Sequence, residues 1–217
     1  MSNRRLAGAG ALLAGPLAII AAVIVLPTLS DKAGDQVAAL TQHRDAMLAG
    51  MTLQILTIVL FIGGTVWLAL ALSRQVPRLA YAGGVLAVAG GLVVMFVDSM
   101  HAGAVAAVLG VDPAHATPIV ARMLSSRVLT VFEPLQMIQD VGMVALAVAA
   151  ARAGVPRWAA AVFAIGALAE SAGFGVGSRP LVGVAFAVML VGLIPIVATL
   201  TGARAARTAS AVEPAVS

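Results

Sequence analysis

Six stretches of this chain are apolar, and each is near the roughly 20 residues a helix needs to cross a bilayer. They cover about residues 6–29, 46–72, 79–100, 128–151, 158–176 and 181–200. A helix satisfies its own backbone hydrogen bonds, so apolar runs of this length in hydrocarbon fold as helices. The expected fold is all-α, an integral-membrane bundle of six transmembrane helices. It forms one domain over 1–201, with a disordered cytoplasmic tail over 202–217. The first apolar run is too long for the core of a signal peptide, and Arg4-Arg5 lacks the rest of a twin-arginine signal, so it counts as a helix.

Composition agrees. Only 10% of the 217 residues are charged and 61% are hydrophobic, whereas a soluble domain carries about 25% charged residues. The absence of cysteine excludes disulfides, thiol catalysis, zinc fingers and iron–sulfur clusters. The abundance of Ala, Gly and Val fits a high-GC bacterial genome, which places the chain in a bacterial inner (plasma) membrane. The formal charge of +4 does not imply nucleic acid, because the arginines sit at the ends of apolar runs. Eight of the 13 Lys and Arg fall on the side of the termini, including Arg74, Arg78, Arg152 and Arg157. Five fall on the other side: Lys32, Arg44, Arg122, Arg127 and Arg179. Positive charge favours the inside, so both termini are expected in the cytoplasm. Trp67, Tyr81 and Trp158 then lie towards the inner interface.

Within those runs lie four acidic side chains with no Lys or Arg beside them at depth: Asp98, Glu133, Asp140 and Glu170. An ionisable group in hydrocarbon is costly, so each is a functional candidate. The topology gathers all four into the outer half of the bundle. Glu133, Gln136 and Asp140 follow i, i+3, i+7 spacing and share a helix face, as do Asp98 with His101 and Gln54 with Thr57. Helix packing can bring the three faces around one polar pocket. Two carboxyls in such a pocket need not both ionise, which leaves a proton to give. Phe96, Phe132 and Phe174 lie close to acids in sequence, and Phe186 lies at similar depth. Aromatic faces attract positive charge. A pocket with acids and rings therefore suits protonation of an alkene or epoxide and stabilisation of the resulting cation.

Structural roles compete at each position. Glu133 fits an N-cap, with Pro134 in the first turn; if the helix begins at Val128 instead, Pro134 kinks it. An amphipathic segment over 118–131 is expected on the outer surface. Asp98 fits an interfacial site beside His101, and Glu170 fits a bridge to Arg179 or Arg127. Asp140 is the deepest of the four and the hardest to explain structurally. The phenylalanines fit ordinary packing, His43 and His115 fit loop positions, and the glycine pairs fit close helix packing. Val76-Pro77-Arg78 recurs as Val155-Pro156-Arg157, an alignment that matches Gly63 with Gly142 and Gln54 with Glu133. It reads either as two hairpins of common design or as one recurring turn.

The spans contain no Lys for a retinal Schiff base, and the chain has no phosphate loop, HExxH or GxSxG. No metal site or cofactor is expected. In size, helical plan, missing diphosphate-binding motifs and placement of acids, the chain resembles the small bacterial integral-membrane terpene cyclases. The resemblance covers the general plan of the chain and implies an enzyme, a cyclase or isomerase, acting on an isoprenoid-type lipophilic molecule. The residues themselves suggest Asp140 or Glu133 as proton donor, Asp98 with His101 as orienting or deprotonating groups, and Glu170 as a further acid. Phe96, Phe132, Phe174, Gln136 and Gln54 are the expected pocket lining. The expected partners are the lipid bilayer, the lipophilic substrate and a second copy in a homo-oligomer. The same acids would also serve a proton- or cation-coupled transporter as a relay.

Overall fold

The structure, a computed structural model, describes residues 3–26, 32–108 and 110–210. Within them the side chains at 3–5, 101–102, 104–106, 129–130, 133 and 203–210 lie outside the description. Every regular element among the described residues is helical. Six helices are long and apolar enough to cross a membrane: α1 (Asn3–Val25), α3 (Arg44–Leu72), α4 (Pro77–Ala107), α7 (Met137–Arg152), α8 (Arg157–Gly175) and α9 (Arg179–Ser210). Shorter helices α2 (Ala33–Gln42), α5 (Pro113–Leu124) and α6 (Arg127–Phe132) join them, and a 3-10 turn, Glu133–Gln136, leads into α7.

The six long helices close into a ring. Each packs on the next, in the order α1, α3, α4, α7, α8, α9, and α9 returns to α1. Large side chains are exposed around the outside, among them Val85 at 67% and Ile165 at 59%. An apolar exterior on so many helices suggests a multi-pass membrane protein. Inside, one end of the ring is solid. Leu12, Leu68, Leu146, Phe163, Leu193 and Ile196 are fully buried there and belong to one continuous core. Tyr81 and Trp158 are exposed at this end.

Small residues set how closely the helices approach. A Cβ at Gly90 would overlap the backbone nitrogen of Gln139, and one at Gly142 would overlap that of Ala87. The two contacts press α4 against α7 on either side of Asp140. Nothing lies within 4 Å of where a Cβ at Gly63 would be, whereas Gly142 is tightly enclosed. The two glycines matched by the recurring Val-Pro-Arg turns therefore have unlike packing.

The other end of the ring is covered by α2 and α5. Val37, Leu40, Met47, Val108, Ala116 and Val120 form a second, smaller core there. Val37 and Leu40, spaced i, i+3, turn α2 inward between the first two long helices. The amphipathic segment expected over 118–131 begins earlier, at Pro113. The Asp112 carboxylate accepts a hydrogen bond from the Ala114 N–H at 2.8 Å, and Pro113 occupies the first turn, a standard helix start. The segment then breaks at Ser125 before α6. The helix does not run unbroken through 128–151: Pro134 has no N–H to donate, and the chain tightens to 3-10 geometry at Glu133–Gln136. The fourth long apolar helix accordingly counts from Pro134. At the C-terminus, α9 continues past Gly202 to Ser210, through the helix-favouring Ala203, Ala205 and Ala206.

Candidate functional site

Beneath the α2–α5 cap the ring surrounds a partly open cavity of about 940 Å³, and all six long helices contribute to its wall. Gln36 of α2 and Leu124 of α5 line it from above. It extends inward to Ile19, Thr65 and Ala87. Beyond them lies the solid core.

Three of the four acids meet here: Asp98 from α4, Asp140 from α7 and Glu170 from α8 all line the cavity. Each reaches it by simple helix geometry. Asp140 is the fourth residue of α7, held there by the Gly90 and Gly142 contacts. Glu170 is one turn and a half above the C-terminus of α8. Asp98 lies in the last three turns of α4. Asp140 and Glu170 are only 6% and 8% exposed. Asp98 and Asp140 are both within electrostatic reach of Glu170.

Their hydrogen bonds differ, and the difference separates their roles. Gln54 Nε2 donates to Asp98 Oδ2 at 2.8 Å, joining α3 to α4. Ser171 Oγ donates to Asp140 Oδ2, joining α8 to α7. Glu170 Oε2 is buried with no hydrogen-bond partner among the described residues. No bridge from Glu170 to Arg179 occupies that oxygen. Arg179 lines the cavity from the first residue of α9, and its Nη1 donates to the Leu26 carbonyl at 3.4 Å.

The remaining wall is mixed. Gln54, Thr57, Gln136 and Gln139 are polar, and Thr57 Oγ1 is satisfied by the Leu53 carbonyl at 2.8 Å. Aliphatic side chains from α1, α3 and α4 supply much of the rest. Phe61, Phe174 and Phe186 bring rings to the wall, with Phe61 and Phe186 meeting edge to face at a centroid distance of 6.5 Å and an angle of 75°.

Of the residues singled out from sequence, Asp98, Asp140, Glu170, Gln54, Gln136 and Phe174 come together on this wall. Phe96 and Phe132 do not line it. They stack on each other with centroids 4.9 Å apart, and Phe96 is 42% exposed on the outer surface. The side chains of Glu133 and His101 lie outside the described residues. Helical spacing alone did not reveal Ser171 as the partner of Asp140, nor Phe61, Thr65 and Gln139 as wall residues. Ser171 did carry a signal, as a hydroxyl next to an acid in an apolar run. No group of three His, Asp or Glu side chains among the described residues has the geometry to hold a metal ion.

No protein-family model matches the sequence, no curated protein is significantly similar to it, and no solved structure matches it significantly.

Proposed function

We propose that the chain is an integral-membrane enzyme that uses the carboxyl groups of this cavity to isomerise or cyclise a lipophilic, isoprenoid-type substrate. One observation carries the reading: three acids from three helices meet in a single ring-bearing, largely apolar cavity that ends on a solid core. The charge pattern of the loops supports an orientation with both termini in the cytoplasm, in which the cavity lies in the outer half of the bilayer.

The hydrogen bonds suggest the division of labour. Asp98 and Asp140 each already accept a bond, from Gln54 and Ser171, which fixes their orientation. Glu170 lines the cavity and has an oxygen without a hydrogen-bond partner among the described residues, so it is the acid of the set least committed to the protein. It donates its proton to a substrate double bond, and a carbocation forms. The electron-rich faces of Phe61, Phe174 and Phe186 lower the energy of that cation. Asp140 or Asp98 then takes a proton from a neighbouring carbon. That loss re-forms a double bond at a new position or, where a second double bond of the substrate has first attacked the cation, follows ring closure. The proton taken by the aspartate returns to Glu170, and no co-reactant is consumed. Asp140, the deepest acid by sequence, thus becomes the base, with Ser171 holding it in place. Gln54 does the same for Asp98.

The test uses the full chain in phosphatidylcholine bicelles with a mixture of isoprenoid alcohols and their esters, incubated in D2O. The reading expects a rearranged product carrying one deuterium on carbon, detected by mass spectrometry. Substrate-driven proton movement across liposomes with no new product would refute it and place the chain among coupled transporters.

A further inference from the structure

We infer that the acid-lined wall of the cavity is a binding site for a lipophilic organic cation bearing an N–H, such as the ammonium of a long-chain amine. This goes beyond the proposed reaction and does not depend on it, because it concerns equilibrium binding without turnover.

The starting point is Glu170. It is 8% exposed, it lines the cavity, and its Oε2 has no partner among the described residues. A buried oxygen without a hydrogen-bond partner is disfavoured, and more so when it is charged. A ligand N–H supplies the missing donor. The neighbouring acids can share it. Each of Asp98 and Asp140 accepts one described side-chain bond, while a carboxylate has room for about four.

Charge selects the ligand further. Among the described residues the cavity wall carries three acidic side chains and one cationic one, Arg179. Arg179 sits at the edge, where α9 begins and α1 ends, reaching the Leu26 carbonyl. The acids lie on α4, α7 and α8. An amine entering the cavity takes a proton from these acids, which leaves an ammonium beside a carboxylate, and an alcohol does not. Aromatic faces attract a cation, and Phe61, Phe174 and Phe186 also line the cavity. The aliphatic remainder accepts a hydrocarbon tail. About 940 Å³ is towards the top of the roughly 300–1,000 Å³ usual for small-molecule sites, so a long-chain ligand fits.

The experiment titrates the full chain in phosphatidylcholine nanodiscs at neutral pH with N,N-dimethyldodecylamine, dodecyltrimethylammonium and dodecanol. Partition into empty nanodiscs is subtracted. The amine is expected to bind at least tenfold more tightly than dodecanol and several-fold more tightly than the trimethylammonium probe, which has no N–H. Glu170→Gln should lower amine affinity about tenfold and leave dodecanol unchanged. Equal binding of amine and dodecanol to the unsubstituted chain, or binding of neither, overturns the inference, and this comparison needs no variant to fold. A trimethylammonium probe that matches the amine overturns the N–H assignment. A folded Glu170→Gln chain that keeps the full preference for amine overturns the assignment to Glu170.

Discussion

Ser171→Ala isolates the contact that holds Asp140. The Ser171 hydroxyl donates to Asp140 Oδ2 across the α7–α8 interface, and Asp140 is 6% exposed. Hydrogen bonds between helices in a bilayer average about 0.6 kcal/mol and reach about 1.7. A charged acceptor raises the usual range to about 1.5–3 kcal/mol. Cavity water offers Asp140 a substitute donor, because the wall around it is polar and roomy. These effects together predict a loss near 1.5 kcal/mol in unfolding free energy, measured by titration in mixed micelles. Part of that loss comes from the alanine substitution alone. A double-mutant cycle with Asp140→Asn separates the pair, and its coupling energy should be about 1 kcal/mol. In the enzyme reading the same change misplaces the base, so turnover should fall about tenfold, equivalent to about 1.4 kcal/mol. Ser171→Thr restores the hydroxyl and should recover most of both. Coupling near zero, with Ser171→Ala as stable and active as the unsubstituted chain, would refute the argument that this bond positions Asp140.

Other substitutions probe the frame. Gly142→Val drives a side chain into the Ala87 backbone and should cost more than about 3 kcal/mol, while Gly63→Ala meets nothing and should gain up to about 0.5–1 kcal/mol in the same titration. Phe186→Ala removes a ring that is 4% exposed and edge to face with Phe61, so about 3 kcal/mol should be lost, at the low end for Phe→Ala because the site already borders a cavity. Leu40→Asp disrupts the small core under α2, and hydrogen exchange should accelerate in α2 and α5 while α8 and α9 stay protected.

The six long helices were legible because apolar length is a property of the local sequence, and the ends agree within about four residues except at the start of the fourth and at the far ends of α4 and α9, which run on to Ala107 and Ser210. In the fourth, Glu133-Pro134 displaces the start, a break that Pro134 announced without saying which side would be helical. The cap helices were less visible: α2 is short, and only Val37 and Leu40 mark its inner face. The meeting of Gln54 and Asp98 at one pocket followed from depth and face. The pairing of Asp140 with Ser171 did not, because spacing orders side chains within a helix but does not fix how neighbouring helices are rotated. Spans that are apolar all round carry no amphipathic face to supply that rotation. The same gap misplaced Phe96 and Phe132, which are near acids in sequence but turned away from the cavity, and hid Phe61, which faces it.

The central claim is that the unpartnered oxygen of Glu170 delivers the proton within a shared three-acid cavity. Single-turnover product formation by purified Glu170→Gln, beside Asp140→Asn and the unsubstituted chain, tests it most directly. The account predicts a folded Glu170→Gln protein that forms product at least a thousandfold more slowly, with no deuterium delivered to carbon in D2O. Turnover within about twofold of the unsubstituted chain would contradict it.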